Sequence, residues 1–425
     1  MIEVPIDYVA PGDILGKYHT FRKYEMGMSS TVDLERGYCL TDRVIRKLKY
    51  EYRVQYLFID EPSPELKDVN FVEPYNEATH QQGISTIIHT MKRVKTSKIL
   101  DLRVFGAVVE DILQNVFSIL KNGKGSFKIL SNTFLRVQSH DFYTWEHSVN
   151  TAIYAAIIAL SVPRIFESMG TVYSLGRTSR IETLVMNMLL HDIGKIKISE
   201  AVMNKPGRLD ESELELVKKH PAYGMAFIRE VNAELEKNGL PWIPSYYMQA
   251  CLSHHQAYDG SGYPSLRAKD GEVRLLAGKE IPLIGRIAAV ADIYDAVSSS
   301  RPFRNPFHPR DAISILRLEE GKRLDPELTE AFIQNIYPFP IGSTVVLSTK
   351  ELSAVIGYEN DDKFIPIVKP IMKKVIKNGK EEVVRLPWMQ QKSLAITPDS
   401  KIKIEVNKEI YKLQDDYYQL GRGSQ

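Results

Sequence analysis

The sequence has few cysteines, almost no net charge and no long apolar run. Its 425 residues include only two cysteines, Cys39 and Cys251, and neither lies in a CxxC or zinc-knuckle spacing. A disulfide framework is therefore not expected, and a reducing, cytoplasmic compartment is the simplest interpretation. The formal net charge of +2 is too small to predict a surface for polymeric nucleic acid or for a membrane.

No segment is long and apolar enough to predict a membrane span. The longest apolar run, residues 149–162, has 14 residues and includes the polar residues Asn150, Thr151 and Ser161. A spanning helix needs about 20 apolar residues, so this run predicts a buried helix. The first residues, MIEVPIDYVAPGD, also lack the basic and then apolar pattern of a signal peptide.

The composition is that of a stable globular chain with two or three domains. Apolar residues make up 44% and charged residues 25% of the chain, which are ordinary values for folded proteins. Strand patterns at residues 2–9, 14–21 and 54–59, with a helix start at Thr41, predict a small α+β regulatory domain over residues 1–72. A Pro-rich stretch closes this domain, and residues 73–99 are predicted as a linker or helical connector.

The rest of the chain divides into a helical body and a β-rich end. Residues 100–340 carry apolar residues at helical spacing, with a capping box expected at Asp210 and Glu213. After residue 340, short β-prone runs predict a mostly antiparallel module over residues 341–425 that ends in a frayed tail. The predicted fold class is mainly α, with small β-containing modules at both ends.

Histidines and carboxylates recur at the ends of apolar helical segments in the helical body. Six of the ten histidines lie between His147 and His308. One helical histidine alone is more often a hydrogen-bonded core residue than a metal ligand, so the prediction of a metal site rests on the whole set. The set consists of His147, His191, Asp192, His220, His254, His255 and Asp292. Mixed nitrogen and oxygen ligands suit iron or manganese better than a structural zinc.

Two further features stand beside these residues. On a continuous helix His191 and Asp192 point about 100° apart, which would let the Asp192 carboxylate bridge two neighbouring metals. Lys195 would return to the face of His191, where its charge would meet a phosphate. The turn Gly262-Tyr263-Pro264 is either an ordinary tight turn or a turn whose tyrosine stacks on a base or binds a phosphate.

Together these pieces resemble the HD-GYP family, a branch of the HD metal-dependent phosphohydrolases that degrades bacterial cyclic dinucleotides. The similarity covers roughly residues 100–340. The motifs stand in the order Tyr143-Thr144-x-x-His147-Ser148, His191-Asp192-Ile193-Gly194-Lys195, Lys219-His220-Pro221-x-x-Gly224, His254-His255, Asp259-Gly260-x-Gly262-Tyr263-Pro264 and Asp292-Ile293-Tyr294-Asp295-Ala296. Residues 1–72 more weakly resemble the small domain that often precedes HD-GYP units.

The resemblance implies an all-helical HD-type bundle that uses two divalent metals, iron or manganese, to open cyclic di-GMP to pGpG, with further cleavage to GMP left open. It implies that Asp192 bridges one metal on His147, His191 and Asp292 and a second on His220, His254 and His255. Asp192 and Lys195 are the predicted catalytic residues. Substrate contacts are implied for Lys195, Gly262, Tyr263, Pro264, Arg301 and Arg304.

The chain departs from the family at three positions. Gln256 and Ala257 stand where the family usually has Glu and Arg, and Ser300 stands where it usually has Asp. Loss of a residue that hydrogen-bonds to a metal ligand can lower activity or metal affinity by about 10 to 100-fold. Some members bind a third metal through an acidic residue in the region where this chain has Tyr143, so two metals are expected.

Two alternatives to hydrolysis of cyclic di-GMP stay open. The first is a catalytically weak scaffold that binds the dinucleotide, or a diguanylate cyclase (GGDEF) domain, through the surface of Gly262, Tyr263 and Pro264. The second is hydrolysis of another nucleotide, including a mixed cyclic dinucleotide. A homodimer is compatible with each of these hypotheses.

Overall fold

The chain forms two compact units. One combines Met1–Val72 with Tyr337–Ile410, and the other contains Glu73–Ile336. The computed structural model describes residues 2–16, 19–25, 28–52, 54, 56–60, 77–100, 102–122, 143–163, 177–203, 205, 209–268, 270–299, 307, 309–339, 343–377, 380–386, 394–396 and 400–401.

Helices dominate the second unit and strands dominate the first. The helices are α1 (Asp42–Arg46), α2 (Glu77–Ser97), α3 (Leu102–Asn122), α4 (Tyr143–Ser161), α5 (Arg177–Leu190), α6 (Glu200–Met203), α7 (Glu211–Val217), α8 (His220–Lys237), α9 (Gln249–Ser253), α10 (Leu283–Ser298), α11 (Pro309–Glu319) and α12 (Pro326–Ile333). The strands are β1 (Ile2–Pro5), β2 (His19–Glu25), β3 (Met28–Leu34), β4 (Tyr56–Ile59), β5 (Leu266–Arg267), β6 (Val273–Arg274), β7 (Thr344–Val346), β8 (Glu351–Tyr358), β9 (Pro366–Lys377), β10 (Lys380–Arg385) and β11 (Leu394–Ala395).

The first unit is built from both ends of the chain. Strand β1 pairs antiparallel with β4, and a second sheet has the order β10-β9-β8-β7 with β11 paired to β9. One apolar cluster joins the ends, because Val4 and Leu57 from the N-terminal segment pack in it with Leu352 and Met372 from the C-terminal segment. The sequence had predicted two separate end modules. A two-stranded ribbon with one short helix buries little apolar surface alone, which favours a shared core.

The structure confirms the predicted helix cap of this unit and shortens or replaces two of its predicted strands. The Thr41 hydroxyl accepts a hydrogen bond from the Val44 amide and caps α1, as its position predicted. The predicted strand over residues 2–9 ends at Pro5, where a 3₁₀ turn over Ile6–Tyr8 follows. The predicted strand over 14–21 is replaced by isolated bridges at Ile14 and Leu15 and by β2 from His19.

The second unit is the helical body. Helix α10 is buried along almost its whole length, and it contacts α4, α9 and α11. Residues 146–159 of α4 are buried as well, as the apolar run predicted. The predicted capping box is present, since Asp210 accepts from the Glu213 amide at 2.9 Å and Glu213 accepts from the Asp210 amide at 2.8 Å. Among the described residues, no helix combines the length and apolarity that crossing a membrane requires.

Helix ends carry most of the predicted site residues. Helix α5 ends at Leu190, so His191 and Asp192 lie in the following turn, before a 3₁₀ helix over Ile193–Lys197. The prediction that treated this stretch as one continuous helix is therefore wrong, and Lys195 reaches the site through the tighter 3₁₀ turn. Gly194 allows this turn to touch α8, because a Cβ atom there would lie 1.9 Å from the His220 carbonyl oxygen.

Candidate metal centre

Seven histidine and aspartate side chains converge in the helical unit. They come from four helix ends or turns and from the middle of α10. Three overlapping groups have ligand atoms within 4.8 Å of one another: His147 with His191 and Asp292, His191 with Asp192 and His254, and His220 with His254 and His255. The structure therefore brings together every residue of the predicted metal set.

Asp192 lies between the two predicted halves of this set. Its Oδ2 atom lies 3.6 Å from His147 Nε2 and 3.5 Å from His191 Nε2. Its Oδ1 atom faces the other way, 3.3 Å from His220 Nε2 and 3.8 Å from His254 Nε2. A carboxylate with one oxygen toward each pair of imidazoles has the arrangement that a bridging ligand needs.

Hydrogen bonds at Nδ1 orient four of the five imidazole rings. The Nδ1 atoms of His191, His220 and His254 lie 2.6, 2.8 and 2.8 Å from the carbonyl oxygens of Met188, Val217 and Ala250, in that order. A carbonyl oxygen only accepts, so each of these rings donates through Nδ1. Each Nε2 atom then presents its lone pair, which is the state that binds a metal.

His147 is held by a carboxylate instead of a carbonyl. Its Nδ1 lies 2.6 Å from Asp295 Oδ2, and Asp295 Oδ1 accepts from Asn150 Nδ2 at 2.9 Å and from Ser299 Oγ at 2.8 Å. The sequence analysis gave Asp295 no role, although it stands three residues after Asp292 and so near the same helix face. That spacing was the signal that could have identified it.

The electrostatics favour neutral imidazoles beside ionised carboxylates. Burial lowers the pKa of His220 to about 3 and that of His254 to about 4. Burial opposes ionisation of Asp192, but Lys195 and the surrounding histidines hold the pKa of its carboxyl well below the ordinary value. His147 differs: burial disfavours its cation, yet hydrogen bonds to Asp292 and Asp295 raise its pKa to about 9.

These residues fit a divalent cation. His191 Nε2 and Asp192 Oδ1 are buried polar atoms without a hydrogen-bond partner in the described part of the chain, an arrangement that usually costs free energy. Both atoms belong to the cluster, where a cation would satisfy them. The mixed nitrogen and oxygen donor set suits a borderline transition metal.

Lys195 occupies a position beside the carboxylate. Its ammonium group donates to Asp192 Oδ2, and its side chain is 19% exposed. The ammonium offers only hydrogen-bond donors, so it cannot be a metal ligand. Its further donors can bind an anion.

The Gly262-Tyr263-Pro264 turn lies directly against the cluster. The Tyr263 ring stacks on the His255 ring with centroids 4.6 Å apart. Gln256, one of the positions where the chain departs from the HD-GYP pattern, hydrogen-bonds to Pro264 and Leu276 and not to the histidines. Arg301, Arg304 and Ser300 fall outside the described residues, so their roles stay predictions.

Comparison with known proteins gives a consistent picture. Residues 154–328 match the family model described as HD domain. A cyclic di-GMP phosphodiesterase of Pseudomonas aeruginosa is 30% identical over 237 residues, covering 56% of this chain and 50% of the relative. A cyclic di-GMP phosphodiesterase of Thermotoga maritima is 37% identical over 145 residues, covering 34% and 35%. A 3′3′-cGAMP-specific phosphodiesterase of Vibrio cholerae is 24% identical over 258 residues, covering 60% and 44%.

The chain thus spans half or less of the length of each of these relatives. The matched region includes the turn after α5, the start of α8, the end of α9 and Asp292. Residues 154–328 of the helical unit are therefore similar to HD domains, and the relatives that share this region are named as cyclic dinucleotide phosphodiesterases.

Proposed function

We propose that this chain is a metal-dependent phosphodiesterase that hydrolyses cyclic di-GMP to pGpG. The observation that carries the proposal is the position of Asp192, with Oδ1 toward His220 and His254 and Oδ2 toward His147 and His191. The relatives named as cyclic di-GMP phosphodiesterases support the choice of substrate. The same site would hold two divalent cations, iron or manganese.

The proposed first metal set is His147, His191, Asp192 and Asp292, and the second is Asp192, His220, His254 and His255. When bound, the two cations would lower the pKa of a water molecule and polarise a phosphoryl oxygen. Burial favours the neutral imidazoles of His191, His220 and His254, and their Nδ1 hydrogen bonds leave each Nε2 atom facing the cluster. The Asp295 carboxyl contacts Nδ1 of His147, and a carboxylate in this position makes an imidazole a stronger donor to a metal.

Lys195 is proposed to stabilise charge on the phosphate. Its contact with Asp192 keeps the ammonium at the edge of the cluster, partly exposed, where it would meet the phosphate of a bound substrate. A fixed charge of this kind is most useful where negative charge increases in the transition state. Tyr263, Arg301 and Arg304 are proposed contacts for the phosphates and bases of the substrate.

The test is turnover of cyclic di-GMP by metal-free chain that has been reloaded anaerobically with Mn²⁺ or Fe²⁺. Metal per chain and a product time course are measured on one preparation. We expect two metals per chain and multiple turnovers to pGpG, with any GMP appearing later. Two bound metals without turnover of cyclic di-GMP would contradict the proposal, and tight binding without hydrolysis would support the scaffold hypothesis instead.

A second candidate substrate is 3′3′-cGAMP. Three relatives are named as 3′3′-cGAMP-specific phosphodiesterases, and both dinucleotides contain the kind of phosphodiester that the proposed site would cleave. The ratio of kcat/KM for the two dinucleotides on the same reloaded preparation distinguishes the candidates, because this ratio measures discrimination directly.

A further inference from the structure

Gln256 is a buried glutamine whose amide uses both of its ends. Its side chain is 3% exposed. The Nε2 atom donates to the Pro264 carbonyl oxygen, and Oε1 accepts from the Leu276 amide at 3.1 Å. Gln256 directly follows His255, so its side chain links the backbone next to His255 with Pro264, the last residue of the Gly262-Tyr263-Pro264 turn.

The Gly262-Tyr263-Pro264 turn also packs against the backbone of residues 255–257. The Tyr263 amide donates to the His255 carbonyl oxygen at 3.0 Å. A Cβ atom at Gly262 would lie 2.2 Å from the Ala257 nitrogen and 2.3 Å from the His255 oxygen, so the two backbones touch there. With the turn in this place, the Tyr263 ring lies nearly parallel to the His255 ring, at an interplanar angle of 24°.

His255 differs from the other four histidines of the cluster. Their Nδ1 atoms each lie within hydrogen-bond distance of an oxygen, whereas among the described residues no oxygen takes this role for His255. Its ring instead contacts the rings of Tyr263, His254 and His220, at centroid distances of 4.6, 3.9 and 5.0 Å. Stacking on Tyr263 is the contact that comes from outside the cluster.

We infer that Gln256 is a positioning residue that holds Tyr263 against His255 and thereby orients His255 for metal binding. The inference rests on the two-metal site of the proposed function. In this chain the amide matches both backbone groups, since the Pro264 oxygen needs a donor and the Leu276 amide needs an acceptor at the same side chain. An ionised glutamate offers acceptors only and would place a lone pair against the Pro264 oxygen.

The experiment measures Mn²⁺ binding to the metal-free full-length chain, without substrate, from the electron paramagnetic resonance signal of free Mn²⁺. Gln256→Glu removes the donor when the new carboxyl is ionised and keeps the acceptor. Gln256→Met keeps the length and removes both groups at every pH. We expect each to weaken one of the two Mn²⁺ sites by about tenfold and to leave the other unchanged, in line with losses behind metal ligands. Gln114→Glu and Gln114→Met make the same changes at an exposed glutamine of α3 and should not alter the isotherm.

A coupling test separates positioning from general packing. Tyr263→Ala removes the stacked ring without touching the Gln256 amide, and it should weaken the same Mn²⁺ site. If Gln256 acts through Tyr263, Gln256→Met added to Tyr263→Ala causes no further weakening. This comparison also covers the case in which Gln256→Glu fails to fold.

The possible outcomes distinguish this inference from the proposed function. A wild-type chain that does not bind two Mn²⁺ ions contradicts the two-metal site itself. A wild-type chain that binds two, with unchanged isotherms for both Gln256 variants or with fully additive losses in the double variant, overturns the role of Gln256.

Discussion

At the scale of single residues, four of the five imidazoles of the cluster are oriented by a hydrogen bond from Nδ1 to an oxygen atom outside the cluster. Backbone carbonyls of the preceding turn hold three rings, and Asp295 holds His147. The carbonyl contacts are local in sequence and follow from the helix ends, whereas the Asp295 contact joins α4 to α10. His147 is therefore the ring whose orientation depends on packing between helices.

Asp192→Asn tests the shared carboxylate. The change preserves shape but removes the charge that would hold two cations close together, so the variant should lose half or more of its bound metal. Losing a group that only hydrogen-bonds to a metal ligand costs about 10 to 100-fold in activity. Losing a ligand itself should cost more, so turnover should fall by more than about 100-fold. Metal per chain and initial rate are measured beside Asp270→Asn, an exposed carboxylate of the β5–β6 hairpin. Full metal content in Asp192→Asn would refute the bridge.

The two cysteines should differ sharply in reactivity. Cys39 is exposed and Cys251 is buried, and burial raises the pKa of the Cys251 thiol well above its ordinary value. Because the thiolate is the reactive form, the native chain should titrate one thiol with a disulfide reagent and the denatured chain two. Rapid labelling of both thiols in the native chain, followed by absorbance, would contradict the burial of Cys251.

At the scale of elements, the sequence predicted where two helices begin, but not that α5 ends before His191 and Lys195. Thr41 and Asp210 were predicted as caps from residue type and spacing, and both form the expected hydrogen bonds, because capping is a local interaction. Lys195 was predicted on the face of His191 on the assumption that the helix continues through this stretch. In the structure α5 ends at Leu190, before both residues. The 3₁₀ geometry that follows depends on contact with α8, which no local pattern contains.

Gly194→Ala tests the contact between the 3₁₀ helix and α8. The new Cβ atom would meet the backbone of His220 at 1.9 Å and that of Gly224 at 2.5 Å, so one element must move. We expect a loss of about 1 to 3 kcal/mol in the free energy of unfolding, measured by urea titration, together with weaker metal binding. Gly106→Ala, in open space on α3, should instead stabilise the chain by about 0.5 to 1 kcal/mol. Equal stability of Gly194→Ala and wild type would show that the contact is loose.

At the scale of the whole molecule, the ends of the chain share one core. The sequence predicted the separate strands of residues 1–72 and of the C-terminal segment, since alternation is a local pattern. It did not predict that Val4 and Leu352, which are hundreds of positions apart, pack in one cluster. Pairing over such separations depends on complementary surfaces that a single sequence does not display. The predicted metal residues converge over long separations too, and their residue types and the family resemblance pointed to them.

Leu352→Ala tests whether the two end segments are stabilised together. Leu352 is fully buried in the shared cluster, and such a truncation should cost about 2 to 5 kcal/mol in this unit. Amide hydrogen exchange should therefore accelerate in β4, at the N-terminal end of the sequence, as well as in β8 and β9 around the substitution, because a unit with one core opens cooperatively. Ile376→Ala is the matched control in β9, since Ile376 is 80% exposed and should change stability by less than about 0.5 kcal/mol. Faster exchange confined to β8 and β9 in Leu352→Ala, with β4 as protected as in the wild type, would mean that residues 1–72 hold their fold without the C-terminal segment.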